Sequence, residues 1–104
     1  MLVAISISPS GADETGGVSE AVADAVKVIR DSGLPNETNA MFTNIEGEWD
    51  EVMAVVKEAV FRVAESSPRV GLVLKADLRR GFEDGQLAAK VERVEERLRA
   101  EDAR

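Results

Sequence analysis

Apolar residues alternate with small or polar ones at the start of the chain. Val3, Ile5 and Ile7 fall on one side, and Ala4, Ser6 and Ser8 on the other. A period of two with β-branched residues predicts a strand over Leu2–Ser8, which Pro9 should end. Gly11, Gly16 and Gly17, with Asp13, Glu14 and Thr15 among them, predict a loop over Ser10–Gly17. From Val18 to Ser32 the period lengthens to that of a helix. Val18, Val22, Val26 and Ile29 form one stripe, with Ala25 beside it. Ser19 is the expected N-cap. Gly33 suits the residue just past the helix, Leu34 the hydrophobic contact behind it, and Pro35 forbids continuation.

Asn36 to Glu46 is polar, weakly patterned and too short for another helix. It reads as a hairpin with strands at Asn36–Ala40 and Phe42–Glu46 and no obvious turn signal. Thr43 and Ile45 share a face, opposite Phe42, Asn44 and Glu46. Gly47–Ser66 is a second helix. Glu48, Asp50 and Glu51 crowd its first turn, where the macrodipole favours acids. Trp49, Val52, Met53, Val56, Ala59, Val60 and Val63 form its apolar stripe. Arg69–Arg79 is a strand, apolar on both faces from Val70 to Leu74 apart from Gly71. That suits cover by helices on one side and another subunit on the other. After a loop at Arg80–Gly85, a third helix runs from Gln86 to about Glu101. Its Leu87, Val91, Val94 and Leu98 make a narrow seam fit for a partner groove or a neighbouring subunit.

The order strand, helix, strand, strand, helix, strand predicts an α+β, ferredoxin-like βαββαβ antiparallel sheet with an extra C-terminal helix. Right-handed crossovers place the first two helices on one face. The other face, carrying Ser6, Ser8 and Val73, is left open, which argues for self-association through it.

Composition narrows the function. A chain of 104 residues, 44% hydrophobic and 32% charged, is expected to fold as one domain over 1–104. Without His or Cys it lacks the commonest general base, the thiolate nucleophile and the commonest transition-metal ligands, which points away from an enzyme and from a metal site. The net charge of −7 disfavours nucleic acid and anionic membranes and mildly favours a cationic small molecule. The Gly-rich loop is no phosphate cradle, because no P-loop Lys follows and Asp13 and Glu14 repel phosphate. With no long apolar run and no signal-like start, the expected compartment is the cytoplasm.

The block Thr43-Asn44-Ile45-Glu46-Gly47-Glu48-Trp49-Asp50-Glu51-Val52 carries a family likeness. So do Ser8-Pro9, Ser32-Gly33-Leu34-Pro35, the strand with Lys75, Asp77 and Arg79, and the run Lys90 to Leu98. Together, and in this order, they resemble the small thiamine-binding proteins of ferredoxin-like fold, from about Val3 to Leu98. The resemblance implies dimers and tetramers that bind thiamine or its hydroxymethylpyrimidine part near a subunit interface. It implies no catalysis and no cofactor beyond that ligand. Ala40 and Phe42 stand where many members have Pro and Gly, and the larger Phe42 would reshape or fill the pocket floor.

Seven residues are candidates for holding such a ligand. The Thr43 hydroxyl suits a ring nitrogen or an exocyclic amine, although strand propensity alone also explains it. Ser6 and Ser8 share a strand face and suit either a ligand or close packing across a dimer. Asn39 and Asn44 can both donate and accept, as a pyrimidine requires, and both also suit a turn or an edge. Glu46 suits an amino group or a helix N-terminus. Phe42 suits ring stacking or an interface plug, and Trp49 suits packing rather than a ligand. Lys75, Asp77 and Arg79 suit an ion-pair set. The alternative is a regulatory module of the same fold that senses another small metabolite, such as an amino acid, since fold alone does not separate the two.

Overall fold

The computed structural model describes residues 1–10, 17–81 and 85–102, and side chains in the first helix from Glu20 onward. The expected Ser19 cap, the place of Val18 in its stripe, and loop positions 11–16 and 82–84 lie outside the described residues. In chain order the elements are β1 (Leu2–Ser10), α1 (Gly17–Asp31), β2 (Asn36–Thr38), β3 (Thr43–Glu46), α2 (Trp49–Ala64), β4 (Arg69–Asp77) and α3 (Gln86–Asp102). The four strands form one antiparallel sheet in the order β2-β3-β1-β4. This is the ferredoxin-like α+β arrangement with a C-terminal helix.

Register assigns the two faces. Val3 lies opposite Ile45 and Ala76, and Ile5 opposite Thr43 and Leu74. Cross-strand partners share a face, so these residues face α1 and α2. Val3, Ile5 and Ile45 are buried with Ala21, Ala25, Ile29, Val52, Val56, Ala59 and Val63. The other face carries Leu2, Ala4, Ser6 and Ser8, paired with Asp77, Lys75, Val73 and Gly71.

The structure corrects four expectations. Pro9 does not end β1, which runs to Ser10 opposite Arg69. Beyond Ile5, β1 has β4 as a neighbour but no β3 partner, and a strand edge tolerates a missing N–H. The hairpin strands are shorter than their patterning suggested, because Asn39 builds the turn: its N–H donates to the Phe42 carbonyl, and its Oδ1 accepts from the N–H groups of Met41 and Phe42, all at 2.9 Å. Helix α1 buries Ala21, Ala25 and Ile29, while Val22 is exposed and Val26 half-buried. Small side chains let α1 approach α2 and the sheet closely, which turns the valines toward the sheet edge. Trp49 begins α2 and is 54% exposed rather than packed in its stripe; the buried line starts one turn later, at Val52.

Helix ends follow their chemistry. Gly33 takes φ +82°, the left-handed conformation that closes α1. A Cβ at Gly47 would meet Val52 Cγ2 at 3.1 Å and Leu34 Cδ2 at 3.3 Å. Gly47 also exchanges backbone hydrogen bonds with Met1. Helix α3 buries no residue fully, and Val91, Val94 and Leu98 are 56, 58 and 49% exposed. It extends the described molecule to 56 × 30 × 20 Å.

Candidate functional site

A cleft of about 230 Å³ opens where β3 has ended and β1 continues. One wall is the hairpin tip, from Thr38 through Asn39, Ala40, Met41 and Phe42 to Thr43. The facing wall is Val22 and Val26 of α1, turned there by the alanines behind them. The floor is the β1 edge at Ser6 and Ile7, whose backbone has no β3 partner past Ile5. An uncovered strand edge offers N–H and C=O groups in a row. Polar groups converge above it. The Thr43 hydroxyl lies 3.1 Å from that of Thr38, and either can donate. Asn39 uses its carbonyl oxygen in the turn, which leaves its amide NH₂ as a donor. Among the described residues, the side chains lining this cleft are all uncharged.

The structure thus brings Thr43, Ser6, Asn39 and Phe42 together. It places the other three candidates elsewhere. Asn44 points to the open face, where its amide donates to Glu37 Oε1 at 3.3 Å. Ser8 lies farther along that face, opposite Gly71. Glu46 is 3% exposed, and its carboxylate accepts from the backbone N–H groups of Gln86 at 2.8 Å and Leu87 at 3.3 Å. Glu46 therefore caps α3, forty residues away, rather than the helix that follows it. Sequence reasoning missed Thr38, Met41, Val22 and Val26 as lining residues. The pairs Ala21/Ala25 and Val22/Val26 share one helical spacing, and choosing the smaller pair for the core would have exposed the valines.

A second concavity of about 260 Å³ lies between the open face and the first turns of α3. Lys90 of α3 pairs there with Asp77 of β4. That hydrogen bond and charge hold the Asp77 carboxyl below its usual range, with smaller help from Arg79 and Lys75 and against a small desolvation cost. So Asp77 pairs with α3 rather than along its own strand.

The family model described as thiamine-binding protein matches residues 3–95. The chain belongs to the thiamine-binding protein family. A UPF0045 protein of Mycobacterium bovis is 55% identical over 96 residues, covering 89% of this chain and 92% of its own. Among solved structures, a hypothetical protein of Methanocaldococcus jannaschii aligns with a TM-score of 0.73 at 34% identity, over 86% of this chain and 92% of that one. A Thermotoga maritima protein, described as a candidate thiamine biosynthesis/salvage protein, aligns with a TM-score of 0.69 at 27% identity, over 88% and 99% of the two chains. The family is named for binding, not for a reaction. Among the described residues, no helix is long and apolar enough to cross a membrane.

Proposed function

We propose that this protein binds thiamine, or its hydroxymethylpyrimidine part, without transforming it, as a cytoplasmic homo-oligomer that needs no cofactor. The observation that carries this is the hairpin cleft, in a chain whose family is named for thiamine binding. An aminopyrimidine is a flat ring with apolar faces and a polar edge. Val22, Val26, Met41 and Phe42 suit the faces. Thr43, Thr38, Asn39 and the β1 edge that β3 leaves unpaired suit the ring nitrogens and the exocyclic amine. Phe42 narrows the cleft and supplies an aromatic wall for stacking.

Self-association belongs to the same reading. The bare end of the open face, where exposed Val73 lies beside the small Ser6 and Ser8, and the apolar distal seam of α3 are surfaces that a second copy would cover. Ser6 lies on that face and also lines the cleft, so the ligand sits beside the subunit contact.

Titration calorimetry with thiamine and with hydroxymethylpyrimidine tests the reading. Saturable binding that Thr43→Ala weakens is the expected result. No heat with either compound would discard the ligand, and an unchanged dissociation constant in Thr43→Ala would remove Thr43 from the site.

A further inference from the structure

The second cavity differs from the first in one respect that decides its chemistry: among the described residues, charged side chains line it and not the hairpin cleft. Register builds its floor as one row across all four strands. Glu37 lies opposite Asn44, Asn44 opposite Ala4, and Ala4 opposite Lys75. Three inter-strand steps place the ends of this row about 14 Å apart at the backbone. Ala4 leaves a hollow at the middle, and Leu2, Leu87 and Val91 supply apolar contact around it.

The two ends have opposite sign. At the β2 end Glu37 takes one hydrogen bond, from the Asn44 amide. At the β4 end Asp77 is neutralised by Lys90, and among the described residues Lys75 forms no ion pair. Among the described residues lining the cavity, Lys75 and Lys90 outnumber Asp77 at that end and leave it net positive, while Glu37 makes the other end negative, with an apolar hollow between.

We propose that this cavity is a binding site for a free amino acid with an apolar side chain. The carboxylate meets Lys75, the ammonium meets Glu37 and the Asn44 carbonyl, and the side chain lies on Leu87 and Val91. Both charged partners sit on long, flexible side chains, which spans the gap between a 14 Å row and a small zwitterion. A thiazolium ion has no anionic group for Lys75 and is repelled by it. The site is thus distinct from the hairpin cleft and does not depend on the thiamine reading. Because α3 forms its roof, occupancy stiffens the first turns of that helix.

The test is calorimetry of the full chain with L-leucine, L-leucinol, which lacks the carboxylate, and N-acetyl-L-leucine, which lacks the ammonium. L-leucine is expected to bind, and each analogue to bind at least about tenfold more weakly. Lys75→Met and Glu37→Gln, both at exposed positions, are each expected to weaken L-leucine by a similar factor. Thr43→Val should leave it unchanged. Absence of L-leucine binding overturns the proposal, as does binding that survives both charge substitutions. Thiamine binding that is lost in Lys75→Met and kept in Thr43→Val also overturns it, by giving the cavity to the vitamin instead.

Discussion

Thr43 pairs its backbone with Ile5 and Thr38 and shares its hydroxyl with Thr38, so it is at once a sheet residue and a wall of the cleft. Thr43→Val keeps the volume and removes the hydroxyl. Its partner Thr38 is exposed and can turn to water, so denaturation should show a loss of about 0.5–1.5 kcal/mol, with pyrimidine affinity falling more clearly. Asn39 separates turn from ligand in the same way. Asn39→Asp keeps the acceptor oxygen that holds the Met41 and Phe42 amides but lacks the amide donor. Stability should stay within about 0.5 kcal/mol while hydroxymethylpyrimidine binding weakens. Asn39→Ala loses the turn bonds as well and should cost about 1–2 kcal/mol; equal stability of the two variants would show that the turn does not depend on this side chain. Thr43 was legible as a candidate because a hydroxyl on a short strand is conspicuous. Asn39 was legible as a turn or edge residue too, but the groups it holds were not, because its two acceptor bonds depend on where the strands stop.

At the scale of elements, α3 is held by its first turns. Glu46→Ala removes two charge-assisted hydrogen bonds from buried surroundings and should loosen the docking by about 2–3 kcal/mol. Hydrogen exchange should show lost protection at Gln86–Lys90 and little change in β1, since α3 contributes no fully buried residue. Loss of β1 protection in step would mean that α3 and the sheet unfold as one unit. The Asp77–Lys90 pair adds a pH dependence of known sign. The folded carboxyl titrates below its ordinary value of 3.8, so its contribution is complete above that value and is lost as pH falls through the lower, folded one. Protection of the first turns of α3 should therefore drop in that acidic window in the native chain and be already reduced at neutral pH in Asp77→Asn. The three helices, β1 and β4 were readable from period and breakers, whereas β2 and β3 followed only from a segment too short for a helix between two helix boundaries. The rotation of α1 was not, because both Ala21/Ala25 and Val22/Val26 satisfy a helical stripe and only the closeness of α2 chooses between them.

For the whole molecule, the exposed apolar surface sets the expectation. Val73, Val94 and Leu98 lie on the open face and the projecting helix, at 62, 58 and 49% exposure. Sedimentation at micromolar concentration should find dimers or larger species, and Val73→Lys with Leu98→Glu should shift them toward monomer; a monomeric native chain would contradict the assembly. Ligand at 100 times its dissociation constant should add about 2.7 kcal/mol, a rise in melting temperature of about 10–20 °C for a chain of this size. The order of elements, the apolar alternation of β1, the apolar run of β4, and the punctuation at Gly33-Leu34-Pro35 are local properties. They specify the ferredoxin-like topology without reference to distant residues, which is why it could be read from the chain alone. The site is different. Thr43 and Val26 are neighbours because one sheet register and one helix rotation put them there, Glu46 reaches α3 across the fold, and Glu37 and Lys75 share a row through two intervening strands. Such juxtapositions depend on pairing and packing between remote segments, which no local pattern encodes and which the folded chain alone fixes.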